Sequence, residues 1–301
     1  MYKDIITVST VALRPIWGDK QANLNRIEGY VEAAAKKGSD LILFPEMALT
    51  GYDDEPDKPV EEKMQHKLAE TVPGPSSIEV AKLAKELGIY VVFGMPVRDD
   101  KDPKVVYNGL AVITPNGEIS SYHKLHLPAP EPNWATRGDK PCLLQTPWGP
   151  IGIGICYDTY SFPELMRYYV AKGARIYLNP TAICYAHGDH YADENLHAAI
   201  DRENIFIVVS NLAGLDKDNY FWGGSSILGP SVKTWSPHYY AGMAMAAEGA
   251  DEEALYTATV DLALASRMIY KYNPAVGGTD WRPDKYIELL QDVMNDESFG
   301  K

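Results

Sequence analysis

Cys156 closes the segment Ile151-Gly-Ile-Gly-Ile-Cys156-Tyr-Asp158, and its thiol is a group that could attack a carbonyl carbon. The apolar, β-branched run before it reads as a buried strand. The polar cluster Asp158-Thr-Tyr-Ser161 follows, and Phe162-Pro-Glu-Leu-Met166 then opens a helical stretch. A cysteine on such a strand-to-helix turn projects its sulfur out of the sheet, and a helix N-terminus beside it lowers the thiol pKa. That is the setting of an activated nucleophile. Free cysteines are also among the most buried side chains, so this segment alone leaves a structural role equally open.

Two further reactive side chains stand just beyond apolar strands. Glu46 follows Leu41-Ile-Leu-Phe-Pro45, and Lys124 follows Ile119-Ser-Ser-Tyr-His123. Sites of α/β proteins gather at the C-terminal ends of strands. A carboxylate, an ammonium and a thiol converging there would supply a base, an electrostatic stabiliser and a nucleophile. Each has an ordinary alternative: Glu46 as an acid at a helix start, Lys124 as a surface lysine. His123, His126, His187, His190 and His197 are candidates for pairing with a cysteine. His187-Gly-Asp-His190 has the outline of a metal cluster, but two histidines in a glycine-containing loop read first as polar loop residues, so no metal is expected.

The elements that must position these groups alternate between the two periodicities. Strands are expected at Ile5–Leu13, Asp40–Phe44, Ile89–Met95, Ile151–Ile155, Arg175–Asn179, Ile205–Asn211, Ser225–Leu228 and Ala254–Asp261. Helical spacing runs over Asp19–Lys37, Ser76–Leu87 (capped by Ser76 or Ser77), Phe162–Lys172 and Tyr191–Glu203. Pro115-Asn-Gly117 joins Tyr107–Thr114 to Glu118–Lys124 as a hairpin. The segments Asp53–Pro59 and Leu127–Pro132 read as loops. Alternating strands and helices with hairpins mixed in imply a mixed sheet, or paired sheets, covered by helices. A last helix is expected at Pro283–Met294, in a tail that packs on the domain or on a neighbouring subunit.

At 301 residues the chain can form one large single-core domain or two small ones, and 46% apolar with 23% charged residues places it among globular proteins. Its net charge of −13 and the lack of a Lys/Arg-rich block argue against nucleic acid as a partner. No apolar run approaches the ~18 residues of a membrane span. Cys142, Cys156 and Cys184 are odd in number and widely spaced, which suggests neither a disulfide framework nor a zinc site and suits a reducing compartment. The start of the chain has no apolar signal segment, so a cytoplasmic enzyme is expected.

Three blocks together carry a resemblance. Phe44-Pro-Glu46-Met-Ala-Leu-Thr-Gly-Tyr52, Lys124-Leu-His-Leu-Pro128 and Gly154-Ile-Cys156-Tyr-Asp158 with Phe162-Pro-Glu-Leu165 closely resemble the signature blocks of the nitrilase superfamily of carbon–nitrogen hydrolases. Their order and separations match over about residues 4–265. The later segments Gly173–Pro180, Asp201–Asn204 and Gly224–Pro230 agree. The resemblance implies a domain over residues 1–270, a tail over 271–301 and an α/β, four-layer αββα sandwich that forms a homodimer or higher homo-oligomer. It implies a Glu46, Lys124 and Cys156 triad, with Glu131 as the second glutamate that follows the lysine. It implies no metal or organic cofactor, and a small amide or carbamoyl compound as substrate.

In that frame Tyr157 contributes its backbone N–H to the oxyanion, and Tyr52, Trp134, Thr181 and Tyr185 join it as candidate substrate-binding residues. The aromatics among them suggest an apolar pocket for a neutral amide, although core packing explains each of them as well. Tyr157-Asp158 is similar to amidase and carbamoylase branches rather than to nitrilases. Thr159-Tyr160-Ser161 lacks the arginine that carboxylate-bearing amides call for, which argues against an ω-amidase of dicarboxylic monoamides. An amidase, an N-carbamoyl hydrolase and a non-catalytic binding protein on the same fold are the alternatives; the intact triad argues against the last.

Overall fold

The computed structural model describes residues 2–188, 190–233 and 236–300. Strands β1 (Ile5–Ala12), β2 (Leu41–Leu43), β3 (Tyr90–Arg98), β4 (Val106–Ile113) and β5 (Ile119–His123) lie in the first half. The second half holds β6 (Cys142–Thr146), β7 (Gly149–Ile153), β8 (Ile176–Thr181), β9 (Phe206–Asn211), the short pair β10 (Ala213–Leu215) and β11 (Tyr220–Trp222), β12 (Ser226–Pro230), β13 (Pro237–Gly242) and β14 (Ala254–Asp261). The helices are α1 (Lys20–Lys36), α2 (Met64–Leu68), α3 (Pro75–Leu87), α4 (Tyr157–Tyr160), α5 (Pro163–Ala171), α6 (Tyr191–Glu203) and α7 (Pro283–Asn295).

Two six-stranded sheets result, ordered β14-β1-β2-β3-β4-β5 and β13-β12-β9-β8-β7-β6. In the first, β1, β2 and β3 are parallel and the outer pairings antiparallel. In the second, β7, β8 and β9 are parallel with antiparallel flanks. The two sheets therefore repeat one pairing pattern although no sequence repeat is visible, and β14 of the second half completes the first sheet. Parallel neighbours need a crossover, and α1, α3, α5 and α6 supply it. Their apolar stripes cover the outer faces of the sheets: Leu24, Ile27, Val31 and Val80 pack on Ile42, Val91 and Phe93. Leu165, Met166, Leu196 and Ile200 pack on the other sheet. Between the sheets Val8, Leu43 and Val112 share one core with Ile153, Leu178 and Val208. Polar stitches cross that layer, with the Thr10 hydroxyl donating to the Val209 carbonyl at 2.6 Å and Ser210 to Val11 at 2.6 Å. The layers are thus helix, sheet, sheet, helix.

Local chemistry sets the ends of the elements. Asp19 caps α1 by accepting the Ala22 N–H at 3.0 Å. The cap expected of Ser76 or Ser77 for α3 is different: Gly74 is the cap residue, Pro75 takes the first helical position, and Ser77 sits inside the first turn with its hydroxyl accepting the Gly74 N–H at 2.9 Å. Proline's fixed φ starts the helix earlier than the serines alone suggest. The strand expected to reach Ile155 stops at Ile153, because the Ile155 N–H turns to the Asp158 carboxylate at 3.2 Å. Helix α7 follows the expected bounds to within one residue, and none of its residues is buried on this chain.

Candidate active site

Glu46 lies beyond β2, Lys124 beyond β5 and Cys156 beyond β7, so two loops of the first sheet and one of the second meet where the sheets stack. Glu46 and Lys124 are wholly buried, and Glu131, in the loop after Lys124, is 1% exposed. The Lys124 ammonium donates to Glu46 Oε1 and to Glu131 Oε1, each at 2.6 Å. Asn108 Nδ2 donates to the same Glu46 oxygen at 2.7 Å, and the Tyr52 hydroxyl donates to Glu131 Oε1 at 2.7 Å. Every bond therefore falls on one oxygen of each carboxylate. Glu46 Oε2 and Glu131 Oε2 are buried with no partner. An ammonium has three N–H groups, and two are engaged by the glutamates.

One cation between two buried carboxylates sets the electrostatics. Burial disfavours the Lys124 charge, but Glu131 and Glu46 outweigh it and raise its pKa, so it is an ammonium. Glu131 is pushed up to about 7, by burial first and by its neighbour Glu46, against the pull of Lys124.

Cys156 sits at φ 46°, ψ −101°, a backbone region a non-glycine residue occupies only at a cost of about 1–3 kcal/mol. That turn starts the single helical turn α4 and leaves the side chain 7% exposed. The lowered thiol pKa expected from the helix is not found. Burial and then the Glu46 charge push the Cys156 thiol up, and Lys124, the Ala182 N–H and the Thr181 hydroxyl offset only part of that. One turn of four residues carries little dipole, whereas desolvation acts on the whole thiolate. The Cys156 thiol is thus held toward its neutral form. Among the described residues the Tyr157 N–H has no backbone acceptor.

The structure gathers Glu46, Lys124, Glu131 and Tyr52 through direct bonds and places Thr181 at the buried end of β8 with its hydroxyl buried and without a hydrogen-bond partner among the described residues. The other expected binding residues have contacts of their own, and Trp134 shares a cluster with Tyr52. Trp134 is buried with Met47 and Val106 and offers its carbonyl to His66 Nε2 at 3.0 Å. Tyr157 is half-buried, edge-on to Phe162. Tyr185 is 47% exposed and stacks on Trp222 with centroids 3.8 Å apart. His187 turns to Cys184, Nδ1 to sulfur 3.6 Å. Asp189 lies outside the described residues, and no group of three or more acidic, histidine or cysteine side chains among the described ones is arranged to hold a metal ion.

Two contributors are not apparent from spacing. Asn108 is a polar residue inside the apolar strand β4, and that incongruity was its only signal. Asp158 is wholly buried and ties the lysine loop to the cysteine turn, accepting from Tyr122 Oη at 2.7 Å, His126 N at 2.9 Å and His126 Nδ1 at 2.8 Å.

Comparison with known proteins bears on the family and the fold. The carbon–nitrogen hydrolase family model matches residues 7–270. A probable nitrilase of Schizosaccharomyces pombe is 28% identical over 287 residues, covering 94% of this chain and 98% of the relative. An omega-amidase of Bos taurus is 30% identical over 256 residues, covering 81% of this chain and 84% of the relative. Among solved structures, an amidase from Nesterenkonia sp. superposes with a TM-score of 0.76 at 21% identity, over 96% of this chain and 98% of that one. A glutamate-to-glutamine variant of the Nesterenkonia amidase, with a TM-score of 0.75 at 21% identity over 94% of this chain and 96% of that one, carries the acetamide moiety of fluoroacetamide on its active-site cysteine.

Proposed function

The chain belongs to the carbon–nitrogen hydrolase family, and from that premise we propose that it is an amidase that converts a small neutral amide to a carboxylic acid and ammonia through a thioester on Cys156. The observation that carries this reading is the pair of uncommitted groups on the two residues whose charges act on the Cys156 thiol: Glu46 Oε2, buried without a partner, and the remaining N–H of Lys124. Because burial keeps Cys156 protonated, Glu46 takes the thiol proton as sulfur bonds to the amide carbon. The carbonyl oxygen becomes an oxyanion facing Lys124 and the Tyr157 N–H; one such donor is worth on the order of 10²–10³ in rate. Glu46 passes its proton to the leaving nitrogen and ammonia departs. Water, deprotonated by Glu46, then opens the thioester and restores the thiol. Glu131 Oε2 accepts from the substrate N–H, fixing the amide in line.

Relatives named omega-amidase and nitrilase support chemistry on carbon–nitrogen bonds. Neutrality is supported by the nucleophile turn, where Tyr160 is buried and accepts from Asn179 Nδ2 at 2.9 Å with no arginine between Cys156 and Phe162 to meet a distal carboxylate. N-carbamoyl compounds present the same carbonyl and nitrogen and are the second substrate class. Residues 1–270 form the catalytic domain. The tail 271–301 packs on another copy in a homodimer or larger assembly, a reading supported by the exposed apolar residues Ile287, Leu289, Leu290 and Met294 of α7. Three unpaired cysteines support a cytoplasmic setting. No helix among the described residues is long and apolar enough to cross a membrane.

An ammonia-release screen over short aliphatic amides, aryl amides, carbamoyl compounds and dicarboxylic monoamides tests the reading, with intact-mass detection of the acyl adduct. Neutral amides are expected to turn over fastest, with an adduct that maps to Cys156. Undiminished turnover in Cys156→Ala would sink the mechanism.

A further inference from the structure

Tyr52 is held from three sides. Its hydroxyl bonds Glu131, its ring meets Phe221 edge-on at 5.8 Å, and its backbone N–H donates to Asp216 Oδ2 at 2.8 Å. The same Asp216 oxygen accepts the next N–H, that of Asp53, at 2.8 Å. Asp53 answers in the opposite direction. Its Oδ2 accepts the consecutive N–H groups of Lys217, Asp218 and Asn219 at 3.1, 2.6 and 2.8 Å, and its Oδ1 accepts Asn219 Nδ2. Two carboxylates therefore exchange places, each gripping the backbone that carries the other. The segments they join are more than 160 residues apart in sequence. One leads back to Glu46; the other is the turn between β10 and β11.

The grip is tight enough to exclude a side chain. Gly51 has φ 86°, and a Cβ there would stand 2.7 Å from Asp216 Oδ1. Asp53 is 2% exposed, and Gln65 Nε2 pins the carbonyls of Tyr52 and Asp53 at 3.2 and 3.0 Å. Hydrogen bonds from amides to carboxylates are the stronger kind and hold direction well. Their product is the position of one hydroxyl, and that hydroxyl lands on the Glu131 oxygen that also takes Lys124.

We propose that Asp53 and Asp216 are positioning residues for acyl transfer: their reciprocal clasp sets the Tyr52 hydroxyl, which orients Glu131 and through it the Lys124 ammonium. The inference rests on the amidase reading of the site, since orientation of Glu131 and Lys124 matters to an amide carbonyl and N–H. A tie that merely closed a surface loop would not distinguish reagents that use those groups from reagents that do not.

The test compares Asp53→Asn, Tyr52→Phe and the double variant, with Asn219→Ala as a milder break of the clasp at an exposed residue. Modification of Cys156 is followed by peptide mass with iodoacetamide, which alkylates the sulfur with loss of iodide and presents an amide to Lys124 and Glu131, and with methyl methanethiolsulfonate, which forms a methyl disulfide with loss of methanesulfinate and presents none. The expected result is a loss of roughly 10- to 100-fold in the iodoacetamide rate for Tyr52→Phe and Asp53→Asn. Asn219→Ala falls between these and the parent, the thiosulfonate rate stays within about twofold, and the double variant is no slower than Tyr52→Phe. Equal slowing with both reagents, or losses that multiply in the double variant, overturns the proposal. If Asp53→Asn fails to fold, Asn219→Ala paired with Tyr52→Phe carries the same comparison. Failure of the amidase reading shows separately, as a parent enzyme that iodoacetamide labels but that releases no ammonia from any amide.

Discussion

The two sheets have the same pattern of parallel and antiparallel pairings, yet the two halves of the chain bring opposite kinds of chemistry to the site. The first half contributes charge: Glu46, Lys124 and Glu131, buried and bonded to one another. The second contributes a neutral thiol on a strained turn, with Thr181 and backbone N–H groups around it. Architecture is therefore indifferent to what the loops carry. The charged half is stabilised by mutual compensation, so removing its one cation leaves two buried carboxylates unpaired. The thiol half has no such dependence, and its cost is backbone strain that the surrounding sheets must hold.

The sharpest break of this contrast is Glu46→Gln. It keeps shape, and Lys124 stays paired with Glu131, but no base remains for a thiol whose pKa is raised. Turnover is expected to fall by about 10²–10⁴ with an unchanged urea midpoint; a variant retaining full amide turnover would remove Glu46 as the base.

Stability separates the halves next. Lys124→Met leaves two buried carboxylates without their cation and is expected to cost about 3–5 kcal/mol in chemical denaturation. Cys156→Ala deletes one sulfur and is expected to cost about 1 kcal/mol. Equal losses in the two variants would erase the distinction.

The smallest effect is in pH. Glu131, ordinarily near 4.5 and pushed up to about 7, keeps its proton in the folded chain where the unfolded chain has lost it. The folded state then binds more protons. The Glu131 contribution is fully present below about pH 4.5 and is lost as pH rises through about 7, with a limiting slope of about 1.4 kcal/mol per pH unit. Glu131→Gln removes that dependence. Urea midpoints of parent and variant measured between about pH 5 and pH 7 check it, and a constant difference across the interval rejects the assignment.

The contrast also explains what could be read in advance. Apolar periodicity located the parallel strands and their crossover helices, because buried strands and amphipathic helices each impose a pattern on neighbouring residues. It missed β6 and β13, which are partly exposed edge strands, Cys142–Thr146 and Pro237–Gly242, whose polar and aromatic residues follow no clean alternation. Tyr52 was recognisable as an aromatic near the glutamate loop. That its hydroxyl reaches Glu131, while Trp134 turns into a packed cluster and Tyr185 stacks outward on Trp222, depends on loop paths that no local pattern encodes. Asn108 and Asp158 lay in plain sight as polar residues beside apolar runs, but their partners are 62 and 32 to 36 residues away.

By itself the sequence singled out a thiol, an ammonium and a carboxylate and their place at strand ends, because these three groups have few uses together and because strand ends are marked by local hydrophobic breaks. Only the tertiary structure decided their state. Which oxygen of Glu46 is free, why the Cys156 thiol is neutral rather than ionised, and how Asp53 and Asp216 hold Tyr52 all follow from desolvation and from hydrogen bonds between distant segments. Those quantities depend on what surrounds a group in space, and packing alone brings those surroundings together.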